Sequence, residues 1–102
     1  MTRPESAIQA DIVAALHKIG RFALRVHSGK VRVASGWMQL APEGTPDLYV
    51  LGFGWLECKS GKGKLRKSQK RMHAFIEMNG ERVETVRTVK QALYVVMTTD
   101  GR

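Results

Sequence analysis

A chain of 102 residues has room for one folding unit, 1–102, whose core must claim nearly every element, so function sits on that core rather than on an appended module. Its 17 Lys and Arg outnumber its 9 Asp and Glu, and the net charge of +8 favours a polyanionic partner, nucleic acid first. One cysteine excludes a disulfide framework and a multi-cysteine zinc site, and no apolar run nears the ~20 residues that cross a bilayer.

Met1-Thr2-Arg3-Pro4-Glu5 lacks a signal-peptide core, so an intracellular, cytoplasmic chain with no membrane partner is expected. Thr2 and Glu5 have capping-box spacing, and Pro4 is tolerated in a first helical turn. From Glu5 to Ile19 the residues Ile8, Ile12, Val13, Leu16 and Ile19 recur at helical spacing, and Gly20 stops the helix. Phe22 to His27 reads as a strand, and Val31 to Val33 and Trp37 to Leu40 as shorter extended pieces between glycines 29, 36 and 44. Asp47 to Leu51 and Trp55 to Lys59 flank Gly52-Phe53-Gly54 as the arms of a hairpin. Leu65 to Asn79 forms a second helix, with Leu65, Met72, Phe75 and Ile76 toward the core and Gly80 at its end. Arg82 to Val86 is a strand, and Val89 to Met97 a last helix capped by Thr88. The order α, several strands, α, β, α predicts an α+β or α/β sandwich, a mixed sheet flanked by helices.

A hairpin turning about Phe53 pairs Tyr49 with Glu57 and Asp47 with Lys59. Side chains alternate along a strand, so Asp47, Tyr49, Glu57 and Lys59 share one face, while Leu48, Val50, Leu56 and Cys58 share the other, apolar one. Cys58 then reads as a small buried hydrophobe. Asp47 and Glu57 become diagonal neighbours roughly 7–8 Å apart, able to converge on one hard cation, with Lys59 beside them. The bland alternative is a solvent-facing strand pair whose charges contribute little.

Five features taken together resemble the PD-(D/E)XK nuclease superfamily, and within it the stand-alone virus-type replication-repair (VRR-NUC) branch. They are Glu5 with Gln9 on helix one, Arg25-Val26-His27-Ser28-Gly29, Gly44-Thr45-Pro46-Asp47-Leu48, Glu57-Cys58-Lys59 with nine residues between Asp47 and Glu57, and Gln69 on helix two. The resemblance implies a restriction-endonuclease-like core and a DNA phosphodiester hydrolase acting on branched or junction DNA. It points to viral or mobile-element replication and repair, in a bacterial host if the chain is viral. It implies that Asp47, Glu57 and the backbone carbonyl of Cys58 bind Mg²⁺ or Mn²⁺, with no organic cofactor. Lys59 would orient the attacking water and stabilise charge on the transition state. Glu5 would be an extra metal or water ligand, or else only a helix cap; Gln69 would approach the catalytic strand, or else only cap its own helix. One departure is Arg66-Lys67, where relatives often carry a small capping residue and Pro. Stand-alone members act as homodimers, and Trp37-Met38-Gln39-Leu40 is a candidate contact.

Lys59, Lys62, Lys64, Arg66, Lys67, Lys70 and Arg71 put seven of the 17 basic residues into thirteen positions, with no acid from Cys58 to Ile76. Beginning at the candidate lysine and crossing a Gly61-Lys62-Gly63 loop, the run suits DNA-backbone tracking by Lys62, Lys64, Lys67, Lys70 and Arg71, extended by Arg25, Lys30 and Arg32. A solvated helix face is the plain alternative. A nucleic-acid-binding module without turnover, using 59–71, is the rival function, though binding alone needs no clustered carboxylates, which repel phosphate. An oligomeric assembly protein is a third reading. His17, His27 and His73 are too scattered for a zinc set and read as structural or surface residues. Trp37 and Trp55 read as core or interface residues rather than base-stacking platforms.

Overall fold

The computed structural model describes residues 4–98. In chain order the elements are α1 (Glu5–Lys18), β1 (Ala23–Arg25), β2 (Lys30–Val33), β3 (Gly36–Gln39), β4 (Leu48–Val50), β5 (Gly54–Cys58), α2 (Lys67–Met78), β6 (Val83–Val86) and α3 (Val89–Thr98). Four strands make a mixed sheet in the order β1-β4-β5-β6. The β1–β4 and β4–β5 pairs are antiparallel and β5–β6 is parallel. A parallel pair needs a crossover, which α2 supplies. The fold is α/β, as expected. The five extended pieces expected before α2 are all strands, and three of them, β1, β4 and β5, enter the sheet, because β2 and β3 form a separate hairpin inserted between β1 and β4. Among the described residues no helix is long and apolar enough to cross a membrane.

Alternation along the strands decides which face is apolar. Ala23, Leu48, Val50, Leu56, Cys58 and Val86 turn to one side and meet Ile8, Ile12 and Leu16 of α1 and Ala92 and Val96 of α3, all buried. Ile19, expected on that stripe, is 43% exposed. It lies past the last helical residue, where the Arg21 N–H already returns to the Leu16 carbonyl at 2.9 Å.

The β4–β5 pairing differs from the expected one. Leu48 faces Leu56, Tyr49 faces Trp55 and Val50 faces Gly54, so the loop is Leu51-Gly52-Phe53. Gly54 is already the first residue of β5, at φ +133, where a Cβ would run into the Arg82 carbonyl. A shift of two residues leaves every side chain on its assigned face, whereas a shift of one would have inverted them all. It brings Asp47 opposite Glu57, not Lys59.

Helix α2 covers the other face. Of the four residues expected to point inward, only Ile76 is buried; Phe75 is 52% exposed and Leu65 precedes the helix. The buried positions of α2 are Gln69 and Ile76, with His73 partly buried between them. This stripe is polar where it lies over the charged face of β5. At the chain start, Thr2 lies outside the described residues; the N-cap of α1 is Pro4, which makes Glu5 the first helical residue and not the third. Thr88 does cap α3, its Oγ1 accepting the Gln91 N–H at 3.0 Å.

Candidate active site

Asp47 is delivered by Gly44-Thr45-Pro46. Gly44 is buried at φ +92 beside the start of α2, and a Cβ there would run into the Ser68 carbonyl, so only glycine lets the segment pass. Thr45 Oγ1 donates to the Pro42 carbonyl at 2.6 Å, and Pro46 is buried. Asp47 Oδ2 then accepts the Cys58 N–H at 2.8 Å, tying the carboxylate to the end of β5. In an extended strand a residue's N–H and C=O point to the same side, which turns the Cys58 carbonyl toward Asp47 as well.

Glu57 is 1% exposed. Its Oε2 accepts from Gln69 Nε2 at 3.2 Å, and its Oε1 lies 3.1 Å from His73 Nε2. Burial, then the charge of Asp47 and a hydrogen bond with that carboxyl, push Glu57 up from 4.5 to about 8, although Lys59 pulls the other way. Burial likewise lowers His73, against the pull of Glu77 and Asp47. At neutral pH the pair is therefore a protonated carboxyl beside a neutral imidazole. Cys58, fully buried on the opposite face, has its thiol pushed up to about 12, chiefly by burial, and is a packing residue as expected.

Lys59 is 4% exposed, with its N–H donating to the Val86 carbonyl at 3.0 Å and its Nζ 4.0 Å from Glu5 Oε2. The Ser60–Gly63 turn lies over this pair: a Cβ on Gly63 would come within 3.8 Å of Lys59 Cδ and 4.0 Å of Glu5 Oε2. Arg87 Nη1 holds the turn by donating to the Gly61 carbonyl at 2.8 Å. One turn along α1 from Glu5, Gln9 Oε1 accepts from Arg25 Nη2 at 3.2 Å. Thus α1, β1, the segment leading into β4, β5 and α2 each bring a polar side chain to this end of the sheet.

Gln69 takes both of its expected roles at once, since Oε1 accepts the Arg66 N–H at 2.8 Å as a helix cap while Nε2 holds Glu57. An N-terminal cap supplied from the third helical position explains how α2 starts at Lys67 without a small residue and Pro. Lys62, Lys64, Lys67, Lys70 and Arg71 are exposed, so of the basic run only Lys59 enters the cluster. His17 is structural as expected, its Nε2 accepting the Ala23 N–H at 3.3 Å. His73 is the residue that sequence reasoning missed; its signal was the four-residue spacing from Gln69, which puts both on one helical face.

Among the described residues no three His, Cys, Asp or Glu side chains form a ready cage for a metal ion. The donors on offer are the Asp47 and Glu57 carboxyls and a backbone carbonyl, and the buried Glu57 carboxyl, raised to about 8, holds a proton that a cation could replace. All-oxygen donors of this number suit Mg²⁺ or Mn²⁺, which keep several waters, and not zinc. The donor set therefore fits the implied ion. A cavity of about 550 Å³ lies elsewhere, beside the end of β6 and α3, and contains none of these residues. Comparisons with protein-family models, with curated proteins and with solved structures return no match for this chain.

Proposed function

We propose that this chain is a Mg²⁺- or Mn²⁺-dependent nuclease that hydrolyses DNA phosphodiester bonds, acts on branched or junction DNA in replication or repair, and is kin to the stand-alone VRR-NUC nucleases. The observation that carries the reading is the convergence of Asp47, Glu57 and Lys59 at one end of the sheet, with the Glu57 carboxyl and the Lys59 ammonium both buried there. An exposed strand pair would not bury a carboxylate and an ammonium at 1% and 4% exposure.

Asp47, Glu57 and the Cys58 carbonyl would hold the ion, which when bound neutralises phosphate charge and makes a nucleophile of water near neutral pH. Gln69 and His73 orient the Glu57 carboxylate from either oxygen. Lys59, held beside Glu5, offers its ammonium to the attacking water or to a phosphoryl oxygen as charge grows there. The exposed Lys62, Lys64, Lys67, Lys70 and Arg71 would follow the DNA backbone, sequence-independently. A second copy of the chain would provide a second site for the second strand, as a symmetric homodimer.

The exposed basic run also favours the rival reading, a nucleic-acid-binding module without turnover. Incubating the protein with branched and linear DNA in Mg²⁺, Mn²⁺ or EDTA separates the two. Metal-dependent cleavage is expected, falling about 10²–10³-fold in Asp47→Asn and in Lys59→Met, with circular dichroism showing both variants folded. Binding without cleavage under every metal condition would establish the rival instead.

A further inference from the structure

Among the described residues the β2–β3 hairpin joins no other strand and makes no substantial contact with another helix or strand. A lone two-stranded hairpin is marginal in water, and this one leaves Trp37, which the sequence suggested for the core or an interface, outside the core and 65% exposed. Its register pairs Lys30 with Gln39, Val31 with Met38, Arg32 with Trp37 and Val33 with Gly36. Alternation then sorts the side chains into an apolar face of Val31, Val33 and Met38 and a basic, aromatic face of Lys30, Arg32 and Trp37. On the second face the Arg32 guanidinium lies 5.5 Å from the centre of the Trp37 ring, holding the indole in place and leaving its remaining surface open.

We propose that this second face docks unpaired nucleotides, with Trp37 stacking on a base and Arg32 and Lys30 meeting the flanking phosphates. Charge complementarity selects the partner: residues 30–39 contain two cations and no carboxylate. A flat, two-thirds-exposed indole beside two cations matches a ligand that alternates flat apolar rings with anionic links, which is a single strand. Bases inside a duplex are already stacked on each other and cannot take the position. The hairpin also springs from the right place. It is inserted between Arg25 and Asp47, its base closed by Leu40 N–H to the Gly29 carbonyl (2.8 Å) and Ala41 N–H to the His27 carbonyl (3.1 Å). Immediately below, the Val26 N–H donates to the Asp47 carbonyl at 2.8 Å. The base of the hairpin thus adjoins Asp47, so a strand running from Trp37 down the hairpin would be led toward the carboxylate cluster, which would give the proposed nuclease a preference for junctions and flaps with unpaired bases. The inference rests on that nuclease reading only for the use made of the strand, not for its binding.

The test is run in EDTA, where binding is read without turnover. Trp55→Phe leaves Trp37 as the one tryptophan, and its fluorescence is followed as a short oligothymidylate or a blunt duplex is added. Quenching by oligothymidylate is expected. Trp37→Ala should weaken oligothymidylate binding about 5- to 150-fold, the range for loss of one stacked base, leave duplex binding within about twofold, and keep the melting temperature, since the side chain is exposed. Trp37→Phe should recover most of the loss. Unchanged oligothymidylate affinity in Trp37→Ala overturns the proposal. So does Trp37 emission that is already blue-shifted without DNA and that shifts red on dilution as light scattering falls from dimer to monomer, which would mean a second copy covers this face. Cleavage is scored separately in Mn²⁺, so intact quenching without cleavage refutes the nuclease reading alone, and cleavage with normal Trp37→Ala binding refutes the hairpin alone.

Discussion

The buried Glu57 carboxyl makes a prediction about the metal-free protein that needs no assay of activity. Glu57 titrates near 4.5 when unfolded and about 8 when folded, so between those values the folded chain holds the extra proton and stability falls as pH rises. His73 acts in the opposite sense: burial lowers it below 6.5, so stability rises with pH until the unfolded imidazole has lost its proton. The two slopes oppose each other below about pH 6.5, and the fall caused by Glu57 stands alone from there to about pH 8. At about 1.4 kcal/mol per pH unit this window amounts to about 2 kcal/mol, or on the order of 10 °C in Tm for a domain of this size. Glu57→Gln keeps an oxygen for Gln69 Nε2 and can turn an amide N–H to the neutral His73 Nε2, but it has no charge to develop. Thermal melts in EDTA from pH 5 to 8.5 should show the wild-type Tm dropping above pH 6.5 and the variant level, and the variant more stable at pH 8. The scan stops short of pH 9, where ionisation of the unfolded Cys58 thiol adds a second decline. Millimolar Mn²⁺ should restore the wild type at pH 8 by binding only the folded form, and leave the variant unmoved. A wild-type Tm that is level or rising from pH 6.5 to 8, or a parallel drop in Glu57→Gln, would show that the buried proton is not on Glu57.

Glu5→Gln removes a half-exposed partner of Lys59 at 4.0 Å, a pair of little value to stability; the melting temperature should hold while cleavage drops at least tenfold, and full activity would remove Glu5 from the site. Reversing Lys64, Lys67 and Arg71 to Glu should weaken DNA binding alike for all sequences and flatten its dependence on salt, measured by anisotropy from 50 to 200 mM, because fewer counterions are released; an unchanged salt slope would make the run a solvated face.

How far the sequence could be read depended on whether a segment's neighbours were apolar. Leu48, Val50, Leu56 and Cys58 announced their burial by strict alternation, and that assignment held although the loop was placed one residue too late, because the Gly52-Phe53-Gly54 run admits either turn and the resulting two-residue shift in pairing keeps the faces. What a pattern in one strand cannot carry is the approach of a distant segment, here the Arg82 carbonyl, that makes Gly54 part of β5. Helix α2 was misread for a related reason. Hydrophobic periodicity finds the face a helix turns to an apolar core, but α2 covers Glu57, and its inward residues at that level are Gln69 and His73; the apolar Phe75 points out. A helix lying over a buried charge is amphipathic in the wrong sense for such a search, so polar residues spaced four apart opposite an acidic strand are the better signal. The β2–β3 pairing escaped notice because its two-residue loop, Ala34-Ser35, has neither the Asn-Gly nor the leading glycine of the favoured hairpin turns. That absence of a turn signal and the exposure of Trp37 have one physical meaning: the hairpin is held in shape weakly by its own chain, and a bound strand that stacks on Trp37 would supply the packing that a third β-strand supplies elsewhere.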